Sequence, residues 1–160
     1  MYGISAFDRG DPINNLPSLE SGKVISRVIP GTLPTSNKSK KVGVYPNPYY
    51  VNAYWDGSGE RQRKIVFYNL PKHCTVHIFT LTGDVVAEFQ HNAETYTGSD
   101  IQWYQRFSNV QSDTLAFSGG EHAWNLVTKF DQALATGLYL FSVEDLDSDE
   151  IKTGKFLIIK

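Results

Sequence analysis

Two stretches near the carboxyl end decide the fold: Ala135-Thr-Gly-Leu-Tyr-Leu-Phe-Ser-Val-Glu144 and Ile151-Lys-Thr-Gly-Lys-Phe-Leu-Ile-Ile-Lys160. In the first stretch, side chains alternate between two faces with the period of a β-strand, Leu138, Leu140 and Ser142 on one side and Tyr139, Phe141 and Val143 on the other. The acidic run Asp145-Leu-Asp-Ser-Asp-Glu150 between the stretches consists of turn-forming residues. We therefore predict a closing β-hairpin whose second strand reaches the last residue of the chain.

Composition narrows the class of protein. A length of 160 residues suits one domain with a core, and an aromatic content of 13% favours strands over helices. The net charge of −2 argues against nucleic-acid binding, which needs a basic face. No apolar run approaches the roughly 20 residues that span a bilayer, and the amino terminus lacks the pattern of a signal peptide. The single cysteine, Cys74, excludes an internal disulfide and a cysteine-built metal site.

Short strands follow one another closely from residue 42 onward. No segment shows a convincing apolar stripe with the helical period, so we expect an all-β fold, and many short strands at regular spacing indicate a β-sandwich. Residues 91–120 are polar apart from Trp103 and Tyr104 and are interpreted as an insertion between strands. The predicted strands are Val42–Tyr45, Tyr50–Trp55, Arg63–Asn69, Thr75–Leu81, Asp84–Gln90, Ile101–Phe107, Glu121–Leu126, Leu138–Glu144 and Ile151–Ile159.

The first 41 residues differ from the remainder in composition and residue pattern. Residues 1–29 contain alternating segments, including Lys23–Ile29, and are predicted to form an extended strand arm. Residues 30–41 are rich in Pro, Ser, Thr, Asn and Lys, which is typical of a linker. The predicted organisation is an arm over 1–29, a linker over 30–41 and a β-sandwich over 42–160.

Ordered motifs across residues 42–160 resemble the C-terminal immunoglobulin-like domains of large secreted bacterial proteins. The motifs are Val44-Tyr-Pro-Asn-Pro48, Ile65-Val-Phe-Tyr-Asn-Leu-Pro71 with Cys74–Val86, His122-Ala-Trp-Asn-Leu126, Ala135–Val143 and Gly154–Lys160. Such domains include type IX secretion sorting domains and the related hook-capping-type modules. The resemblance implies an immunoglobulin-like antiparallel sandwich, an extracellular or cell-surface location and a non-catalytic role. The insertion over 91–120 departs from this pattern, and residues 1–29 resemble the end of a fibronectin type III module.

The residues that could act in catalysis or bind a metal ion are better explained by structural roles. His73 and His77 are about 13 Å apart on an extended strand, so they are poor joint ligands, and Cys74 is favoured as a structural cysteine over a nucleophile. The acidic run after Val143 lacks the glycine of a Ca²⁺ loop, which favours a solvated hairpin tip. Arg9-Gly-Asp11 matches an integrin-binding tripeptide, but a match of only three residues is close to what chance produces. We find no phosphate loop, catalytic triad or metalloprotease signature, so we expect no enzyme, no cofactor and no metal.

Three hypotheses for function remain open. The leading one is a sorting or anchoring domain whose terminal hairpin is recognised by secretion or surface-attachment machinery through Lys152, Lys155, Phe156 and Lys160. The second is a self-assembling extracellular filament, in which the arm donates a strand carrying Val24, Ile25 and Val28 to an open sheet edge of another copy. The third is a carbohydrate-binding module that stacks sugars on Tyr49, Trp55, Trp103 and Tyr104.

Overall fold

Strands supply the regular structure wherever the chain is described. The computed structural model describes residues 2–26, 31–51, 63–101 and 118–160, and within these ranges it contains ten strands and no helix. The prediction of an all-β fold is therefore confirmed. The chain divides into two units; residues 2–26 are the described part of the first, and the other three ranges belong to the second.

The described part of the first unit is a long β-hairpin. Strand β1 (Tyr2–Ile4) pairs antiparallel with β2 (Val24–Ser26), and isolated bridges at Phe7↔Glu20 and Asp11↔Leu16 continue the pairing towards the turn. Its described apolar side chains remain 60% or more exposed, namely Ile4, Phe7, Ile13, Leu16 and Leu19. These five side chains therefore do not form a buried core.

The second unit is a β-sandwich of two sheets. One sheet has five strands in the order β4 (Tyr49–Tyr50), β10 (Ile151–Ile159), β9 (Gly137–Asp145), β6 (His73–Phe79) and β7 (Val85–Asn92). The other has three strands in the order β3 (Gly43–Tyr45), β5 (Ile65–Tyr68) and β8 (Glu121–Trp124). All pairs are antiparallel except that β4 runs parallel to β10. The chain passes from β3 in one sheet to β4 in the other through Pro46-Asn-Pro48.

Aromatic side chains from both sheets meet in the core between them. Phe67 of β5 makes edge-to-face contacts with Phe141 of β9 and Phe156 of β10, at centroid distances of 5.3 and 6.3 Å. Trp124 of β8 also contacts Phe156, and Tyr139 stacks on Phe156 at a centroid distance of 5.6 Å. Tyr139, Phe141 and Val143 are buried whereas Leu140 is 38% exposed, so the alternation predicted for this strand is confirmed.

Two predicted segments differ from the observed structure or fall partly outside it. The strand predicted from Tyr50 to Trp55 is observed as β4 at Tyr49–Tyr50, and residues 52–62 lie outside the described ranges. The strand predicted from Ile101 to Phe107 also lies outside them except for Ile101, which is buried in a bend.

Residues 31–37, within the predicted linker, belong to the second unit and are hydrogen-bonded to other parts of it. The Thr32 carbonyl accepts from Gly120 N at 2.9 Å, and the Thr35 amide donates to the Leu70 carbonyl at 3.0 Å. The Thr32 hydroxyl donates to the Gly120 carbonyl and accepts from Asn69 N. Threonine can satisfy backbone groups in this way, which the compositional criterion for a linker does not consider. This segment is therefore attached to the sandwich.

Candidate functional site

The predicted partner-binding residues divide between the two faces of the β9–β10 hairpin. Phe156 is 1% exposed in the core and Lys152 is 9% exposed, with its Nζ donating to the Asn37 carbonyl at 3.0 Å. Lys155 and Lys160 are exposed. A partner at the surface therefore cannot contact Phe156, and Lys152 is already engaged, which corrects the prediction for these two residues.

The other face of the hairpin belongs to a solvent-facing surface that crosses four strands. Strand register places Lys155 opposite Leu140, Leu140 opposite Phe79, and Phe79 opposite Val85. Directly opposed residues share a face of the sheet. Leu140 and Val85 are 38% and 37% exposed, and Phe79 is partly exposed and stacks on His77. We call this surface the outer face and define it by His77, Phe79, Val85, Leu140 and Lys155.

The free edge of β10 is partly occupied by the chain itself. The Asn47 side chain accepts from Leu157 N at 3.1 Å and donates to the Lys155 carbonyl at 3.3 Å, as a neighbouring strand would. Beyond it, β4 pairs with Ile158 and Ile159. Blocking a sheet edge in this way disfavours the addition of a foreign strand. The outer face is therefore a better docking surface than this part of the edge.

The acidic turn after β9 is held by its own carboxylates. Asp145 is 1% exposed, and its carboxylate accepts from Asp147 N at 3.0 Å and from the Ser148 hydroxyl at 2.9 Å. Asp147 in turn contacts His73 Nδ1 at 3.0 Å. Within the described ranges, no group of three His, Cys, Asp or Glu side chains is arranged to hold a metal ion. These contacts give the turn carboxylates a structural role.

Cys74 and its neighbouring histidines do not form a common site. Cys74 is fully buried, and burial, with a smaller contribution from Asp145, raises the pKa of its thiol to about 12. Its thiolate is thus strongly disfavoured at neutral pH. His73 contacts the acidic turn, whereas His77 Nε2 lies 3.5 Å from a carboxylate oxygen of Glu88 on β7.

Other candidate residues are placed apart from one another or lie outside the described ranges. Tyr49 is 1% exposed, so its ring cannot stack on a sugar, which corrects that prediction; Trp55, Trp103 and Tyr104 lie outside the described ranges. Val24 and Ile25 lie on β2, paired with β1, and Val28 lies outside the described ranges.

The Arg-Gly-Asp tripeptide lies at the turn of the first unit. Asp11 accepts hydrogen bonds from Ile13 N, Asn14 N and Asn14 Nδ2. The bond from the Asn14 side chain, followed by the backbone bonds, lowers the pKa of this carboxyl. The carboxylate therefore caps the turn.

A histidine pair between the sheets, with His91 buried and His122 half-buried, is not predicted from the sequence. His91 on β7 is 2% exposed and its Nδ1 lies 3.1 Å from Nδ1 of His122 on β8. His91 Nε2 lies 2.9 Å from the Gly119 carbonyl, which can only accept, so Nε2 carries a proton. In neutral His91 the Nδ1 atom then accepts, and His122 Nδ1 must donate. This contact fixes one tautomer for each ring.

Aromatic and acidic groups surround the pair. His122 is stacked between Tyr96, at 4.1 Å, and Phe89, at 4.6 Å. The Tyr96 hydroxyl donates to Asp100 and accepts from Ala123 N.

Burial is the main influence on the titratable groups of this region. It lowers the pKa of His91, and it lowers that of His122 to about 4 with a further effect of His91. Asp100 raises the pKa of His122, and a distant effect of His73 lowers that of His91. Burial likewise raises the pKa of Glu121, whose carboxylate accepts from Thr32 N and the Tyr45 hydroxyl. Both imidazoles are thus kept neutral at physiological pH.

No local sequence signal identifies this pair. The two histidines are 31 positions apart. They lie on end strands of different sheets, β7 in the five-stranded sheet and β8 in the three-stranded sheet, and they meet because the two sheets pack on each other. His122 falls in the His-Ala-Trp-Asn-Leu motif, which gives no indication of a partner for its ring. Knowledge of the sheet order would have been required.

The fold and these contacts define an all-β sandwich module with an exposed apolar outer face. No family model matches the chain, and no curated protein matches it. In the described ranges, no helix is long and apolar enough to cross a membrane.

Two solved structures from Porphyromonas gingivalis are similar to this chain. PorZ, an essential bacterial surface component of the type-IX secretion system, is 24% identical with a TM-score of 0.46 over 74% of this chain and 11% of PorZ. Dimeric latent PorU is 18% identical with a TM-score of 0.43 over 94% of this chain and 11% of PorU. The chain thus spans about a tenth of either protein, and the likeness assigns it no role.

Proposed function

We propose that this chain is a non-catalytic module of the cell surface or extracellular space, which secretion or attachment machinery recognises through the β9–β10 hairpin. The observation that carries the proposal is that the hairpin combines a buried face, which completes the core, with an exposed face bearing Leu140 and Lys155. The motifs that resemble sorting domains include both strands of this hairpin. The same segment is thereby suited both to complete the fold and to present a surface.

Recognition through the outer face follows from which side chains are accessible. Leu140, Phe79 and Val85 form an apolar row, and Lys155 stands at its end opposite Leu140. Apolar side chains flanked by a charge are typical of a small docking patch, in which a few residues supply most of the binding energy. A partner with an apolar ridge and an acidic group would match this row.

Deletion of β10 would not test this proposal, because the strand supplies Phe156 and Ile158 to the core. A sharper experiment fuses the full chain to a reporter enzyme in a bacterium with a type IX secretion system and measures the exported fraction. The variants are Leu140→Ser and Lys155→Glu on the outer face, with Lys40→Glu in an exposed loop as the matched control. Thermal unfolding of each purified variant verifies that it folds.

We expect the outer-face variants to reduce export about tenfold, the effect of losing one binding hot spot, while Lys40→Glu exports normally. Normal export of both outer-face variants in folded form would refute recognition through this surface. Absence of export even for the unmodified fusion would refute the sorting role itself.

Self-assembly is a second candidate, favoured by the exposed apolar side chains of the first unit. Ile4, Phe7, Leu16 and Leu19 are 60–78% exposed on the two-stranded hairpin that residues 2–26 form in this unit. A two-stranded hairpin is marginally stable in water unless a further strand or surface covers it. If another copy supplies that cover, light scattering will show oligomers that disappear when residues 1–29 are deleted. Oligomers that persist after the deletion would exclude this mechanism.

A further inference from the structure

The histidine pair is part of a polar contact between the two sheets at one end of the sandwich. His91 lies on β7, an end strand of the five-stranded sheet, and His122 lies on β8, an end strand of the three-stranded sheet. His91 Nε2 also donates to the carbonyl of Gly119, shortly before β8, at 2.9 Å. Beside the pair, the Ala123 amide on β8 donates at 3.0 Å to the hydroxyl of Tyr96, which follows β7 in the chain. Three polar contacts therefore connect β7 and the segment after it to β8 and the segment before it.

The geometry of the pair limits how many protons it can hold. The Nδ1 atoms of His91 and His122 are 3.1 Å apart, and this contact accommodates one proton. Because Nε2 of His91 already carries a proton, a first added proton leaves the contact intact by going to Nε2 of His122. A second added proton would have to enter the contact at Nδ1 of His91, where two N–H groups of two positively charged rings would face each other. The closed contact therefore takes up one further proton at most, whereas two separated histidines can each take up one.

The surroundings of the contact disfavour positive charge. His122 is packed between the rings of Tyr96 and Phe89. Burial is the main reason why the pKa of both histidines is lowered. Asp100 partly offsets this effect at His122, but its carboxylate accepts from the Tyr96 hydroxyl and its carbonyl accepts from Nζ of Lys64. At neutral pH the contact is therefore uncharged and closed.

Titratable groups on the neighbouring elements have contacts or burial of their own. Cys74 on β6 lies opposite His91, and Tyr96 follows β7; burial raises the pKa of both groups, so both stay neutral between about pH 4 and 8. The Glu121 carboxylate on β8 accepts hydrogen bonds from the segment before β3 and from β3 itself. His73 on β6 contacts the acidic turn and lowers the pKa of His91. We therefore attribute the titration of this contact in mild acid to the two histidines.

From this geometry we propose that the contact between His91 and His122 is an acid-sensitive switch, which on acidification lets β7 separate from β8 while the β9–β10 hairpin stays paired. The proposal does not depend on the proposed recognition function. Local opening exposes both rings to water, so each ring can take up a proton that the closed contact disfavours. The hairpin is not disturbed by this opening, because β6 lies between β7 and β9 in the five-stranded sheet.

Amide hydrogen exchange of the full chain, followed by NMR at pH 7.5 and 5.5, tests the proposal. Exchange rates, corrected for the intrinsic effect of pH, give the equilibrium constant for opening at each amide. The Ala123 amide reports on the contact because it donates to Tyr96 across it. We expect its opening constant to rise about tenfold between these pH values for each histidine that regains its ordinary pKa of 6.5.

Urea distinguishes local opening from global unfolding. A local opening exposes little surface, so the opening constant at Ala123 should not change when a low concentration of urea is added at pH 5.5. Amides of the β9–β10 ladder should open less often at this pH and should respond to urea, because they exchange through global unfolding.

Two variants separate the titration from the hydrogen bonds. His122→Asn keeps a donor at the position of Nδ1, and His91→Gln keeps a donor at the position of Nε2, but neither new side chain titrates. Each variant should lose about tenfold of the pH effect on the Ala123 amide. His77→Gln, which removes a histidine from the outer face of β6, is the matched control and should retain the full effect. Thermal unfolding of each purified variant verifies that it folds.

The unmodified chain alone can refute the proposal, even if a variant does not fold. An opening constant at Ala123 that is the same at pH 7.5 and 5.5 would overturn it. Equal opening constants and equal urea dependence at Ala123 and in the β9–β10 ladder would also overturn it, because the opening would then be global. A pH effect that both folded variants retain in full would show that the two histidines are not its source.

Discussion

Acidification should destabilise the sandwich through the His91–His122 pair. The pKa of His122 is about 4 in the folded chain, against 6.5 for an unperturbed histidine, chiefly because the ring is buried. Between these two values the unfolded chain binds a proton that the folded chain does not, so stability falls as the pH falls from 6.5 to 4 and then levels off. At about 1.4 kcal/mol per pKa unit, the loss attributable to His122 reaches about 3 kcal/mol. His91, whose pKa is also lowered, adds to the loss in the same direction.

Urea unfolding at pH 7.5, 6.5, 5.5 and 4.5 measures this loss, and His122→Phe isolates its origin. Phenylalanine preserves an aromatic ring between Tyr96 and Phe89 but neither titrates nor donates to His91. At pH 7.5 we expect the variant to be less stable by about 1 kcal/mol, because His91 Nδ1 loses its partner. Below pH 6, the free energy of unfolding of the variant should decline less steeply than that of the unmodified chain. The two slopes should differ by about 1.4 kcal/mol per pH unit, because the variant lacks one protonation.

The matched control is Tyr96→Phe, which keeps the stacked ring and both histidines while removing the hydroxyl bonded to Asp100 and to Ala123 N. It should lower stability and retain the steep decline of the unmodified chain. If His122→Phe and the unmodified chain lose stability in parallel between pH 6.5 and 4.5, the neutral buried pair is not the source of acid sensitivity.

Three further predictions test the core and its buried groups. Phe156→Ala should lower the free energy of unfolding, measured in urea, by about 3–5 kcal/mol, because the ring fills the centre of the core. Leu157→Ala, on the opposite face of the strand, should cost far less. Comparable costs for the two variants would contradict the placement of β10. Glu121→Gln should stabilise the chain at pH 8, because burial raises the pKa of Glu121 and so penalises its charged form. The gain in stability should vanish as the pH falls below 4.5, and a loss of stability at pH 8 would contradict this account. Cys74 should resist a thiol reagent in the native state and react in urea, as followed by absorbance, because it is fully buried with its thiol pKa raised to about 12; rapid native labelling would refute this.

Local periodicity was sufficient to predict most of the strands. The alternation of Tyr139, Phe141 and Val143 with Leu140 follows from the geometry of any strand with one buried face, and the structure buries the aromatic set. The same parity places Lys152 on the face of Phe156. Lys152 is 9% exposed, and its Nζ donates to the Asn37 carbonyl. Residue type favours an exposed lysine at this position, but strand parity decides that Lys152 is buried.

Features that depend on distant parts of the chain were not predictable in this way. Lys152 and Asn37 are 115 residues apart, and His91 and His122 are 31 apart. Such pairs are set by the order of the strands in the two sheets and by how the sheets and loops pack on one another, and neither is encoded in a local pattern. Tyr49 and Tyr50 show the same difficulty, since a shift of one residue in a short strand exchanges the buried and exposed rings.

The most direct test of the central claim is site-specific photo-crosslinking in living cells that export the chain. A photoreactive residue at Leu140 lies on the outer face, and one at Ser39 lies in an exposed loop of the same unit. The account predicts that position 140 crosslinks to a component of the export or attachment machinery, identified by mass spectrometry, and that position 39 does not. Equal crosslinking from both positions, or none from position 140 while export proceeds, would contradict recognition through the outer face.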